Sequence, residues 1–315
     1  MRFHRFLAGV LLCFAFVGTP VFAAPKLEQL AVPSDGITLA LWAREVQHPK
    51  GAIVLVHGRT WSSLPDFDLA VKVSRAETSR GADKEQGRSV MQSLNARGYS
   101  TFALDLRGYG KTPRDATGWL TPDQAARDVS AALEWLARNR HVERPTLLGW
   151  SNGAVVVQLA AQRRPELLSN LILFGYPRDP ANPAPPQTVP AQPPREVNTR
   201  ERAASDFISP QVTPPAVVEA FVAAALAADP VRADWRNPEE FAALDPARVV
   251  TPTLVIHGER DPFATVPAQA RLFAQLGTAD KQWVILPRAD HAALLENSHA
   301  AFIAAILAFV ERPVY

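Results

Sequence analysis

Thr146-Leu147-Leu148-Gly149-Trp150-Ser151-Asn152-Gly153-Ala154-Val155-Val156-Val157 is the segment on which the fold turns. Residues 146 to 150 form a short apolar run of buried-strand type, and residues 153 to 163 continue with the character of a helix. Strand must therefore pass into helix within a residue or two, with Ser151 at the apex. So sharp a turn imposes strained backbone angles on the serine and crowds the positions two residues away on either side. Gly149 and Gly153 answer that steric demand, because neither carries a side chain. The turn also sets Ser151 at a helix N-terminus, where free N–H groups and the helix dipole favour a developing anion. G-x-S-x-G alone arises by chance, and its position between strand and helix gives it weight.

Outward from this turn, short β-rich runs alternate with helical ones. Residues 27–32 and 37–44, separated by Pro33-Ser34-Asp35-Gly36, read as an opening antiparallel hairpin. Residues 52–57, 99–105, 146–150, 171–175, 253–257 and 282–286 are continuous apolar runs, as expected of strands buried on both faces. Helical patterns fall at 88–97, 122–139, 153–163, 266–276 and 297–311; in the last, Phe302, Ile303, Ile306, Leu307 and Val310 make one apolar stripe that Pro313 ends. The fold class is α/β, a mostly parallel central sheet with helices on both faces.

Two stretches break the alternation. Residues 72–88 hold 8 charged side chains in 17 and read as a solvated loop. Residues 177–194 hold 8 prolines in 18, which excludes helix and central strand. With the Ala/Val-rich helix expected at 216–228, residues 177–248 read as a cap or lid inserted into a core made of 24–176 and 249–315.

A serine hydroxyl is inert near neutral pH without a base. Of the seven histidines, His4 lies in the leader described below, His48 and His141 in turns, and His299 in the last helix, while His57 and His257 end strands in His-Gly pairs that read as packed turn residues. His291 follows the last strand through Pro287-Arg288-Ala289-Asp290, at the carboxyl end of the sheet where ligands bind in open α/β folds. It is the expected general base. The carboxylate that orients such a base is expected to be Asp261, with Asp179 as the alternative position. Glu259 is assigned to the turn and Asp290 to capping the helix approach.

These residues together resemble an α/β-hydrolase-fold serine hydrolase over nearly all of 27–311. The resemblance is carried by His57-Gly58, by Asp105-Leu106-Arg107-Gly108-Tyr109-Gly110, by the Ser151 turn, and by Asp261 and His291 in the family order Ser, Asp, His. It implies a Ser151–His291–Asp261 triad and an oxyanion hole made of the backbone N–H groups of Arg59 and Asn152. It also implies two-step acyl transfer without a cofactor. Trp61 is expected to line the acyl pocket; Trp150 is a second pocket candidate, with packing against the sheet as its favoured role. The Asp105–Gly110 turn is a fold marker. The chain departs from the family pattern in the Arg59 side chain, which is either exposed or meets a polar substrate group, and in the long stretch between His57 and Tyr99. His57-Gly58-Arg59-Thr60-Trp61-Ser62-Ser63 is also similar to esterases that open macrolide lactones. The expected partner is therefore a small-molecule ester or lactone. A prolyl-iminopeptidase-like peptidase is the alternative, with Glu201, Glu219, Glu239 and Glu240 available for a substrate amine, and a non-catalytic small-molecule-binding relative is a further one.

The composition limits the rest. Arg2 and Arg5, an apolar run from Phe6 to Gly18 and Val21-Phe22-Ala23 read as a signal peptide of residues 1–23. The run, about 13 residues, is short of the roughly 20 needed for a membrane anchor. The expected location is periplasmic or secreted. The two leader arginines account for the whole net charge of +2, and the lone cysteine, Cys13, leaves with them. The mature chain is neutral, which argues against a nucleic-acid partner, and cysteine-free, which excludes thiol catalysis and a Cys-based zinc site. It carries no H-E-x-x-H, no Walker loop and no strand-borne G-x-G-x-x-G, so neither metal nor organic cofactor is expected.

Overall fold

The structure is a computed structural model that describes residues 25–73, 86–182 and 190–313. The expected signal peptide lies outside these residues, as do most of the charged 72–88 stretch and part of the proline-rich one.

The chain opens with β1 (Glu28–Ser34) and β2 (Ile37–Arg44), then β3 (Gly51–Val56), α1 (Ser63–Phe67), β4 (Asp68–Val73), β5 (Gln86–Ser89), α2 (Val90–Asn95) and β6 (Tyr99–Leu104). α3 (Pro122–Arg140), β7 (Thr146–Trp150), α4 (Asn152–Arg163) and β8 (Asn170–Phe174) follow. The segment between β8 and the next strand carries α5 (Arg200–Ala204) and α6 (Pro215–Ala228), and the chain closes with β9 (Thr253–Gly258), α7 (Val266–Gln275), β10 (Lys281–Leu286) and α8 (His299–Val310).

Eight strands form one sheet in the order β1-β2-β6-β3-β7-β8-β9-β10, in which β1 and β2 pair antiparallel, β2 meets β6 antiparallel, and all later neighbours are parallel. Parallel strands need crossovers, and those crossovers put helices on both faces. Alternate residues of each strand accordingly feed two cores. Val54, Val56, Leu147, Leu171 and Leu173 meet α3 and α4 on one face, whereas Ile53, Leu55, Leu148, Ile172 and Phe174 meet α2, α6 and α8 on the other. α3 begins at a capping box in which Thr121 accepts from the Gln124 N–H and the Gln124 side chain accepts from the Thr121 N–H, with Pro122 next in the helix.

One expectation needs correction. The 72–88 stretch is not wholly a solvated loop: β4 and β5 pair as an antiparallel ribbon, and Arg88 is 1% exposed with its Nε donating to Leu295 O at 2.9 Å. The described residues of 175–252 add no strand to the central sheet; within them α6 packs on α1 and β4, with Phe221 buried. Every parallel strand points its carboxyl end to the same edge. Arg59, Ser151, Gly175, Asp261 and His291 are therefore gathered there, each just beyond its strand.

Candidate active site

Ser151 sits between β7 and α4 at φ 55°, ψ −121°, a conformation that L-residues seldom adopt. A Cβ built on Gly149 would lie 2.3 Å from Gly153 O, and one on Gly153 would lie 2.3 Å from Val56 O and 2.4 Å from His57 O. The contacted atoms are backbone and cannot swing away, so the steric reading of the two glycines holds in the structure. The Ser151 N–H donates to Phe174 O at 2.8 Å, tying the apex to β8.

His291 and Asp261 are brought together. Nδ1 of the imidazole donates to Asp261 Oδ2 at 2.8 Å, while Asp261 Oδ1 accepts the N–H groups of Phe263 and Ala264 at 2.9 and 3.0 Å. Burial pushes the Asp261 carboxyl upward, but the His291 bond and those two N–H donors outweigh it and hold it below the ordinary carboxylate range. With Nδ1 engaged, Nε2 is the ring nitrogen left over. The ring is fixed by the Trp150 indole at 5.6 Å and by Phe263 edge-on at 5.0 Å, and Trp150 Nε1 donates to His291 O at 3.0 Å. Asp179 is elsewhere, in a two-pronged ion pair with Arg271 at 2.5 and 2.8 Å. Glu259 accepts the Arg288 N–H in the turn, and Asp290 accepts the N–H groups of Ala292 and, from the segment between β8 and β9, Ser209.

The loop after β3 is held by buried polar groups. The fully buried His57 donates from Nδ1 to Gly58 O and accepts the Leu106 N–H at Nε2, and burial lowers its pKa to about 4, so it is a neutral packing residue. Gly58 N–H donates to Asp66 Oδ2 at 3.2 Å, and the Tyr109 hydroxyl donates to Arg59 O. Asp229 accepts the N–H groups of Ser62 and Gly110, and Asp105 those of Ser63 and Lys111. Burial raises all three carboxyls, Asp66 well above its ordinary value and Asp105 to about 6. With Gly58 N–H turned to Asp66, the next N–H along, that of Arg59, has no acceptor among the described residues. Asn152 N–H is the first of α4, one of the donors a helix leaves without an internal partner.

Trp150 takes its favoured role, packing on the sheet, and Trp61 is held by the loop and the segment after β8. Trp61 is 2% exposed, edge-on to Phe221 at 6.2 Å, and its Nε1 donates to Asp206 in the segment between β8 and β9. Trp150 is 3% exposed and stacks on Phe174 at 6.1 Å. Both brace the site. The four glutamates considered for an amine also lie apart from it: Glu219 pairs with Arg200, Glu240 accepts the Asp123 N–H, and Glu201 and Glu239 are exposed. Besides Asp261, Asp206 bears on His291 electrostatically, and burial raises its carboxyl to about 6. No local pattern around Asp206 announces this, because its burial is created by the packing of α5 and α6.

Sheet order, strained serine turn and site position define an α/β-hydrolase-fold serine hydrolase. The chain belongs to the Hydrolase_4 family, described as serine aminopeptidase, S33, whose model matches residues 84–298. A serine hydrolase of Mus musculus, BPHL, is 30% identical over 96 residues, which is 30% of this chain and about a third, 32%, of the mouse protein's length. Among solved structures, a 2-hydroxy-6-oxo-6-phenylhexa-2,4-dienoate hydrolase from Rhodococcus sp. strain RHA1 superposes with TM-score 0.63 at 18% identity, covering 91% of this chain and 99% of that one. A thermophilic esterase from Thermogutta terrifontis gives 0.58 at 18%, covering 90% and 98%, and a thioesterase domain from the curacin biosynthetic pathway gives 0.62 at 16%, covering 90% and 99%. At these identities the likeness is one of fold.

Proposed function

We propose that this hydrolase is an exported serine esterase that cleaves a carboxylic ester or lactone, large lactones included, through Ser151, His291 and Asp261. The observation that carries the reading is the 2.8 Å bond from His291 Nδ1 to Asp261 beside the strained Ser151 turn. It leaves Nε2 as the acceptor for the serine proton.

In the first step Ser151 Oγ attacks the carbonyl carbon while Nε2 takes its proton. The carbonyl electron pair moves onto oxygen, which the Arg59 and Asn152 N–H groups receive, each donor contributing about 3 kcal/mol to lowering the barrier. Asp261 stabilises the imidazolium. The tetrahedral species collapses, the C–O bond to the alcohol breaks, and the alkoxide takes the proton from Nε2. Water then attacks the acyl-enzyme by the same route in reverse, yielding the acid and free Ser151.

One observation favours a second reading, release of an N-terminal residue from a peptide: Asp206, close enough to His291 to influence it, would suit a substrate ammonium. Against it, Asp206 is engaged by Trp61, and the cations Arg59 and Arg178 follow the two strands that flank β7. The test has two stages. Covalent labelling by a fluorophosphonate, lost in Ser151→Ala, is expected, and folded protein that takes no label ends the serine-hydrolase mechanism proposed here. A panel of p-nitrophenyl esters, macrolide lactones and aminoacyl amides then separates the readings, with turnover confined to amides rejecting the esterase. Export is tested by sequencing the N-terminus of protein from the periplasm or medium, expected to begin at Ala24.

A further inference from the structure

Many of the arginines that this fold buries wholly or in part are matched to carboxylates: Arg44 to Asp68, Arg107 to Asp128, Arg140 to Glu28 and Glu45, and Arg312 to Asp280. Arg114 donates instead to the main-chain carbonyls of Val231 and Arg232, and the Arg236 Nε is buried without an acceptor among the described residues. Arg59 and Arg178 also lack a carboxylate, and they alone flank the serine turn. Both are partly buried, yet neither guanidinium makes an ion pair or hydrogen bond with any described residue. Burial disfavours the charge on both; beyond it, Tyr109 favours and Arg232 opposes that of Arg59, while Tyr176 favours and Arg59 opposes that of Arg178.

Their placement is set by the sheet. Arg59 follows β3 and Arg178 follows β8, the two strands that flank β7, so the pair straddles Ser151. Neighbouring strands run about 4.8 Å apart, which separates those two strand ends by roughly 10 Å. Above the strand ends the side chains share one platform. Arg59 Cζ lies 5.8 Å from the Trp235 ring centroid and Arg178 Cζ 4.5 Å from that of Phe241, and the two rings stack at 6.4 Å and 24°. Aromatic faces hold guanidinium planes without neutralising them. Two like charges drawn partly out of water beside each other are unfavourable until an anion joins them. The planar forks of two guanidiniums match the geometry of a carboxylate.

We propose that Arg59 and Arg178 form a subsite for a carboxylate carried by the substrate, so that the preferred ester or lactone bears a free acid group. This rests on the esterase reading above and narrows it. Arg232, held by Glu196 at 3.8 Å, adds positive potential, while Asp206 acts on Arg232 and His291 and not on the pair.

The carboxylate can sit on the acyl or on the alcohol side, and two arms distinguish them. One compares 4-nitrophenyl hydrogen glutarate with 4-nitrophenyl butyrate, the other 3-carboxyphenyl butyrate with phenyl butyrate. In one arm the anionic ester is expected to exceed its neutral partner at least tenfold in kcat/KM, with the preference shrinking as salt is raised. Arg178→Gln is expected to bring that ratio close to one, and the charge-keeping Arg178→Lys to retain part of it. Ratios equal in wild type and Arg178→Gln on both arms overturn the subsite. Binding of glutarate and of benzoate to Ser151→Ala, read by calorimetry, requires no turnover. Binding of either that disappears on adding Arg178→Gln supports the subsite even if the esterase reading fails. Absence of binding together with unchanged ratios rejects the subsite and leaves the esterase standing.

Discussion

Trp61 Nε1 donates to Asp206 Oδ2 at 2.6 Å, joining the loop after β3 to the segment between β8 and β9 across 145 positions of chain. The bond fixes a carboxylate where it acts on His291, and burial raises that carboxylate to about 6. Above pH 6 Asp206 is negative and favours the imidazolium formed during acyl transfer. Below it the acid is protonated and the help is gone. Asp206→Asn is therefore expected to lower kcat about fivefold above pH 6, a difference of about 1 kcal/mol. The two pH–rate profiles should converge below pH 5. Profiles that run parallel throughout would show that Asp206 only packs.

Asp261→Asn keeps the shape of the acid and loses its charge. The asparagine can still meet Nδ1 but favours the wrong tautomer, and kcat should fall on the order of 10³- to 10⁴-fold with little change in thermal stability. Asp179→Asn, which breaks only the exposed pair with Arg271, should leave kcat as it is. Single-turnover rates on a p-nitrophenyl ester measure both, and equal losses would contradict the assignment of Asp261.

The turn around Ser151 is equally specific. Gly153→Ala forces a Cβ to 2.3 Å from Val56 O and 2.4 Å from His57 O, and a β3 backbone inside the sheet has nowhere to retreat. A loss of more than about 3 kcal/mol is expected, through overpacking against rigid atoms. Chemical denaturation should show it as a lower midpoint at unchanged slope.

The sheet and the strained turn of the candidate site were legible because they are written locally. Buried parallel strands show as continuous apolar runs, and Gly149, Ser151 and Gly153 stand within five residues of one another. The β4–β5 ribbon also left a signal, Leu69, Val71 and Val73 alternating with Ala70 and Lys72, which the neighbouring charges obscured. Arg88 was counted among those charges, although it packs in the interior against Leu295. Asp66, Asp206 and Asp229 had no signal. A carboxyl is raised above its ordinary range only when distant segments close over it, and Asp66 and Asp229 meet their N–H donors through turns that the tertiary fold assembles.

Glu296 should make stability fall as the solution turns alkaline. It is fully buried, and burial first, then the Asp290 carboxyl beside it, raise it to about 9 from an ordinary 4.5, against the opposing pull of the Asp290 N–H and the Ser298 hydroxyl. A group raised this way holds its proton in the folded chain and gives it up in the unfolded one throughout that window. The stabilisation is complete below pH 4.5 and declines as pH climbs toward 9. Glu296→Gln keeps the neutral amide shape and cannot ionise, so its melting temperature should gain on that of the wild type by several degrees between pH 5 and pH 9. Calorimetric scans at pH 5, 7 and 9 measure the difference, and a constant offset would mean that Glu296 holds no proton in the folded state. The consequence reaches the site through one residue: Asp290 precedes His291 and accepts the Ser209 N–H at 2.6 Å. A negative charge on Glu296 beside Asp290 loosens the loop that carries His291 and the segment bonded to it at Ser209. Wild-type activity near pH 9 should accordingly be lost on warming several degrees before that of Glu296→Gln.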